Sequence, residues 1–168
     1  IYNLKGKSYS HSIQGEVQYE LFKNFNITMA FRYNDVKTTI NNQQMAAPMI
    51  NVYKGLVSAS YQTNLKKWQF DANMQLNGNM PLPTTSWNPP EYQRPEDSPT
   101  FIIVNAQVTK FFKKCEIYLG GENLTNFRQP NPIISADNPF GEYFDGTIIY
   151  GPINGIKIYT GFRYTIRK

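Results

Sequence analysis

The sequence predicts an all-β fold, an antiparallel up-and-down transmembrane β-barrel segment contributing about seven strands to a larger barrel. Three observations predict it. Apolar and polar residues alternate with a period of two along most of the chain. Short and long connections between those runs alternate strictly. Aromatic residues gather towards the short connections.

The runs are as follows. Over 12–21, Ile13, Val17, Tyr19 and Leu21 alternate with Gln14, Glu16, Gln18 and Glu20. Over 27–34, Ile27, Met29, Phe31 and Tyr33 alternate with Thr28, Ala30, Arg32 and Asn34. A weaker run over 55–62 sets Val57, Ala59 and Tyr61 against Ser58, Ser60 and Gln62. The clearest, 68–77, sets Trp68, Phe70, Ala72, Met74 and Leu76 against Gln69, Asp71, Asn73, Gln75 and Asn77. Then come 102–109, with Ile102, Val104, Ala106 and Val108 on one face, and a less regular run over 116–124. The last, 156–167, places Ile156, Ile158, Phe162, Tyr164 and Ile166 on its apolar face. No segment of useful length has helical period.

Tight turns are expected at Phe22-Lys23-Asn24-Phe25, over 64–67 and over 111–114. Long connections are expected over 39–53, 79–100 and 127–155. In an up-and-down sheet this places every short turn at one end and every long loop at the other. Tyr19, Phe22, Phe25, Trp68, Phe111, Phe112 and Tyr164 then form a candidate interfacial girdle.

Composition excludes several function classes. The longest apolar run, Phe101-Ile102-Ile103-Val104, is far short of the ~20 residues a transmembrane helix needs. A mean hydropathy of −0.50 is compatible with a barrel, which spreads its apolar residues over alternate positions. One Cys and one His allow neither an intrachain disulfide nor a His-based triad. The net charge of +5 comes with no basic stripe or recognition motif, so no nucleic-acid partner is expected.

Alternation alone fits two architectures. A lipocalin-like carrier turns its apolar face inward, whereas a membrane barrel turns it to lipid. The unequal loops, the strand lengths and the aromatic girdle favour the second. An autonomous eight-stranded barrel would need one more strand, with 1–4 as the candidate. Long Gln, Glu, Tyr and Arg side chains on the polar face suit a wide, wet lumen better.

Three stretches carry a resemblance to a known family: "EIYLGGENLTNFRQPNPI" (116–133), "NPFGEYFDG" (138–146) and "YGPINGIKIYTGFRYTI" (150–166). They resemble the C-terminal end of TonB-dependent outer-membrane receptors of the kind common in Bacteroidetes. There a G-x-x-N-L-T/F-N stretch marks the penultimate strand, and a Gly- and Tyr-bearing strand closes the barrel. The likeness covers the whole chain in pattern and, in motif, about the last 65 residues. Two features depart from it: Thr165-Ile166-Arg167-Lys168 follows the last aromatic, and Ile156-Lys157 stands where many relatives have Gly-Arg.

The resemblance implies a barrel of about 22 strands around a plug, of which residues 1–168 would be the C-terminal part and would not include the plug. It implies active uptake of a scarce ligand (siderophore, haem, cobalamin, metal chelate or glycan), with energy delivered by TonB through the plug. A periplasmic C-terminus, contact with outer-membrane lipid and a possible surface lipoprotein partner follow. No enzymatic activity or cofactor is expected.

Candidate ligand contacts lie in the long loops: Trp87, Tyr92 and Arg94 in the second, and Tyr143, Phe144 and Asp145 in the third. Met45 and Met49 are too few to indicate a soft-metal site. Glu16, Glu20 and Asp71 read as solvated carboxylates of the polar face rather than an acid–base group. Cys115 reads as a reduced bystander beside a turn. Asn123-Leu124-Thr125 and Asn26-Ile27-Thr28 match a glycan acceptor pattern, which has little meaning in the bacterial envelope protein that the resemblance implies.

Overall fold

A computed structural model of the protein describes residues 6–40 and 43–166. The candidate strand at 1–4 lies outside them. The elements are β1 (Tyr9–Phe22), β2 (Phe25–Ile40), β3 (Gln43–Ala46), β4 (Tyr53–Gln62), β5 (Trp68–Asn77), β6 (Phe101–Phe111), β7 (Cys115–Glu122) and β8 (Lys157–Tyr164), with one 3₁₀ turn at Pro90–Tyr92. The sheet is antiparallel throughout, in the order β1-β2-β4-β5-β6-β7-β8, with β3 folded back on the end of β2. All seven expected strands are present. β3 is an addition within the first long loop. β1 and β8 stand at opposite edges, so the sheet is open among the described residues.

Register sorts the residues into two faces, because side chains alternate across a strand. Tyr61, Phe70, Val108 and Leu119 form one outward row across β4 to β7, and Val57, Met74 and Val104 form another. Nothing among the described residues covers this apolar face: Val17 is 66% exposed and Ile158 67%. The opposite face is polar, with Arg32 donating to Gln14, Ser60 to Asp71 and Asn105 to Asn73. The buried apolar cluster lies instead in the long loops, where Met80, Leu82, Ile134 and Ile148 pack with Tyr92 and Tyr150.

The short turns explain where strands stop. Lys23-Asn24 joins β1 to β2, with Asn24 at φ 66° and its N–H donating to the Glu20 carboxylate at 2.8 Å. Asn tolerates this left-handed conformation better than most residues. The register shifts between Glu20 and Phe22, leaving Leu21 as a bulge. The bulge brings Phe22 onto the apolar face, where it stacks on Phe25 at 4.8 Å, with Tyr61 beside both. Phe111 does not join this girdle. It pairs with Glu116, which places it on the polar face. β8 ends on Tyr164, and the Thr165 N–H then bonds the Lys114 carbonyl, so the chain leaves beside the short turns.

Two reciprocal pairs lock β7 to β8. Tyr118 lies opposite Gly161, and Gly120 opposite Tyr159. A Cβ on either glycine would overlap the facing ring. The missing side chain lets Tyr159 lie across β7 and donate to Gln107 of β6 at 3.0 Å. In the intact protein, Gly161→Val is expected to destabilise the folded barrel by about 1–3 kcal/mol through overpacking. Adding Tyr118→Ala should recover part of that loss. Heat- or urea-dependent unfolding in detergent reads the cycle, and additive losses would show that the ring and the glycine are independent.

Candidate functional site

The long loops form a packed platform at one end of the sheet, and its anchor is the polar turn that follows β7. β7 stops at Glu122 rather than running on to Leu124, because Asn123 turns into the left-handed region at φ 52°. Asn123 is 6% exposed. Its side-chain amide donates to the carbonyls of Phe127 and Asn154, and its side-chain oxygen accepts the Phe127 N–H at 3.1 Å. Its own N–H bonds Asn105 of β6. Thr125 donates to the Ile102 carbonyl, and Asn126 accepts the Ile156 N–H. These short polar side chains therefore tie the end of β7 to the start of β6 and to the return into β8. Buried backbone groups need such partners.

The last loop continues the same logic. The Gln129 side chain donates to the Ile148 carbonyl and accepts the Tyr150 N–H, both at 2.8 Å, so one buried amide replaces a ladder. Phe127 stacks flat on Phe101 at 4.2 Å. The second loop carries a ladder of its own, with Ser98 bonded to Met80 and Leu82 to the Glu96 carbonyl. Buried Asn51 joins the first loop to the second through the Gly78 carbonyl at 2.6 Å.

Between the three loops runs a groove of about 500 Å³. Its walls include Ile40 and Met45 from the first loop, Leu82 and Trp87 from the second, and Tyr143, Phe144, Asp145 and Ile148 from the third. Thr38, Ile40 and Met45 share the register of Asn34 and Arg32, so the groove opens on the polar side of the sheet. A polar hollow lies on the same face, lined by Asn73, Gln75, Asn105, Lys157 and Tyr159.

Four of the six candidate contacts meet in this groove: Trp87, Tyr143, Phe144 and Asp145. Trp87 is 73% exposed, which suits a binding ring more than a packing one. Tyr92 and Arg94 do not line it. Tyr92 stacks on Tyr143 at 5.2 Å, and Arg94 donates to the Asn131 carbonyl at 2.5 Å, so both join the second loop to the third. The Asp145 carboxylate accepts from the N–H and hydroxyl of Thr147. Burial pushes the Tyr150 hydroxyl above its ordinary range, and nearby Arg94 partly offsets this.

Met45 lies on the groove wall without Met49. Glu16, Glu20 and Asp71 are spread over the polar face, bonded to Gln18, to the Asn24 N–H, and to Ser60 with Gln69. Ile40, Glu142 and Ile148 were not legible as groove residues. Each becomes one only when the loops dock.

No family model and no curated protein matches the sequence. Solved structures do match. A point mutant of the ferric enterobactin receptor PfeA from Pseudomonas aeruginosa, bound to enterobactin, aligns with a TM-score of 0.61 at 13% identity, over 92% of this chain and 22% of that one. The copper transporter OprC aligns with a TM-score of 0.61 at 15% identity, over 92% and 23%. The siderophore receptor PiuA from Acinetobacter baumannii aligns with a TM-score of 0.55 at 11% identity, over 93% and 22%. The chain shares its fold with part of a receptor barrel. It spans about a fifth of the length of these proteins.

Asn123 offers a direct test of how the platform is held. Asn123→Ala should cost about 3 kcal/mol, combining unpaired buried backbone groups with a strained left-handed alanine. Asn123→Gly should cost about 1–2 kcal/mol less, since it keeps the backbone conformation. Limited proteolysis of residues 127–155 in the intact protein measures both. Equal cleavage of the two variants would remove the conformational contribution.

Proposed function

We propose that the chain is the C-terminal part of the barrel of a TonB-dependent outer-membrane receptor of the Bacteroidetes type. The observation that carries this reading is the fold itself. It is an open antiparallel sheet with an uncovered apolar face and a packed loop platform at one end, and it aligns over 92% of its length with about a fifth of a receptor. The Asn123 anchor supports the motif resemblance, since a G-x-x-N-L-T-N stretch is the part of the sequence that builds it. On this reading the apolar face meets outer-membrane lipid, the short turns and the C-terminus face the periplasm, and the loops face outward. The plug and its TonB-contacting segment would come from outside residues 1–168, and a surface lipoprotein could cover the loops. A self-contained small barrel or a lipocalin-like carrier is less consistent with β1 and β8 standing at opposite edges.

The groove would then be part of the ligand site. Trp87, Tyr143 and Phe144 offer apolar faces, and Asp145 a carboxylate already oriented by Thr147. Tyr92 and Arg94 would act by holding the loops together. The ligand class is one that a scarce-nutrient receptor takes up: siderophore, haem, cobalamin, metal chelate or glycan.

Uptake of labelled ferric enterobactin, haem, cobalamin, copper and maltooligosaccharide by cells carrying the intact receptor tests the reading. At least one should enter in a manner lost when TonB is inactivated. If none of them enters in a TonB-dependent manner, the reading is contradicted. For the ligand so found, Trp87→Ala or Tyr143→Ala should each raise Kd about 30-fold, the effect of losing an aromatic anchor worth about 2 kcal/mol. Unchanged binding in both variants would place the site elsewhere in the receptor.

A further inference from the structure

The short-turn end carries a feature that transport of a ligand does not use. Lys110 pairs with Trp68 and Ile117, which sets it on the apolar face. It is the single charged side chain on that face of β4 to β8. Its ammonium sits 4.0 Å from the centre of the Trp68 ring and 5.9 Å from that of Phe112. Among the described residues no carboxylate accompanies it. The one ion pair among the described residues, Arg163 with Glu116, lies on the polar face. The neighbouring turns add Lys23, Lys66, Lys67, Lys113 and Lys114. Glu20, the other acid of these strand ends, is on the polar face and bonds the Asn24 N–H.

The next outward positions after Lys110 and Trp68 are Val108 and Phe70. Both line an open apolar trough of about 570 Å³ that extends to Leu119 and Ile158. A cation at the aromatic level of a membrane strand, free of carboxylates and placed above an apolar trough, matches a lipid with a charged head and an acyl tail. The match lies in charge as well as shape, since the surplus at this end is positive.

We propose that this surface binds an anionic phospholipid, with its phosphate against Lys110 and the turn lysines and an acyl chain along the trough. The site rests on the membrane reading above, which turns the short turns to the periplasm and therefore to the phospholipid leaflet rather than to lipid A.

The test is native mass spectrometry of the intact receptor in mild detergent, supplied with phosphatidylglycerol, phosphatidylethanolamine and lipid A. Wild type should retain phosphatidylglycerol in preference to both others. Replacing Lys110, Lys113 and Lys114 by Gln should reduce that retention by about fivefold per lysine, the usual worth of one basic residue at an anionic surface. Lys110→Arg should keep it, and Lys37→Gln, at the far end of the sheet, should leave it unchanged. Equal retention of phosphatidylglycerol and phosphatidylethanolamine, preference for lipid A, or an unaffected triple variant would overturn the site while leaving a detergent-requiring receptor intact. A receptor that stays in solution without detergent would overturn the membrane reading itself, and the site with it.

Discussion

A sheet with one apolar face that the described residues leave uncovered constrains everything else in this protein. The backbone ladders satisfy one another from β1 to β8, yet no second layer among the described residues packs on Val17, Phe31, Phe70 or Ile158. In water such a face would favour association. In a bilayer it is the required surface, and antiparallel pairing is one of two ways to satisfy a backbone there. The two edges carry the same demand, because among the described residues β1 and β8 each present an unpaired ladder. On the proposed reading, further strands would pair the edges and lipid would cover the face.

The packed apolar core therefore moves out of the sheet and into the loops. Met80, Leu82, Ile134 and Ile148 do there what a core does in a soluble domain, and Asn51, Asn123 and Gln129 replace missing ladders with side-chain amides. The outcome is a shaped platform rather than three separate loops. Its groove opens on the polar side because Thr38, Ile40 and Met45 keep the register of the strand beneath them. Position and shape thus come from one physical source, the alternation of β2 continued above the sheet.

Alternation is also why so much was legible in the sequence. A strand with one apolar and one wet face writes its register into residues such as 68–77, where every second side chain agrees. Legibility fails where that two-faced environment fails. β3 is missed because Gln43-Gln44 shows no contrast of faces. Phe111 is assigned to the wrong face because aromatic character says nothing of register. The bulge at Leu21 hides how Phe22 joins the girdle. Of the six loop residues chosen for their chemistry, four reach the groove, while Tyr92 and Arg94 are taken up in joining loops. Composition indicates which residues can bind, but loop docking decides which are free to do so.

The orientation of the apolar face is tested most directly by single cysteines along β5 of the intact protein in membranes, with Cys115 replaced by Ser. Positions 71, 73 and 75 should react with a water-soluble maleimide through the lumen. Positions 70, 72 and 74 should resist it and, once labelled with a fluorophore, be quenched by a lipid-borne probe. Reversal of that alternation, or uniform labelling from water at all six positions, would contradict a lipid-facing wall.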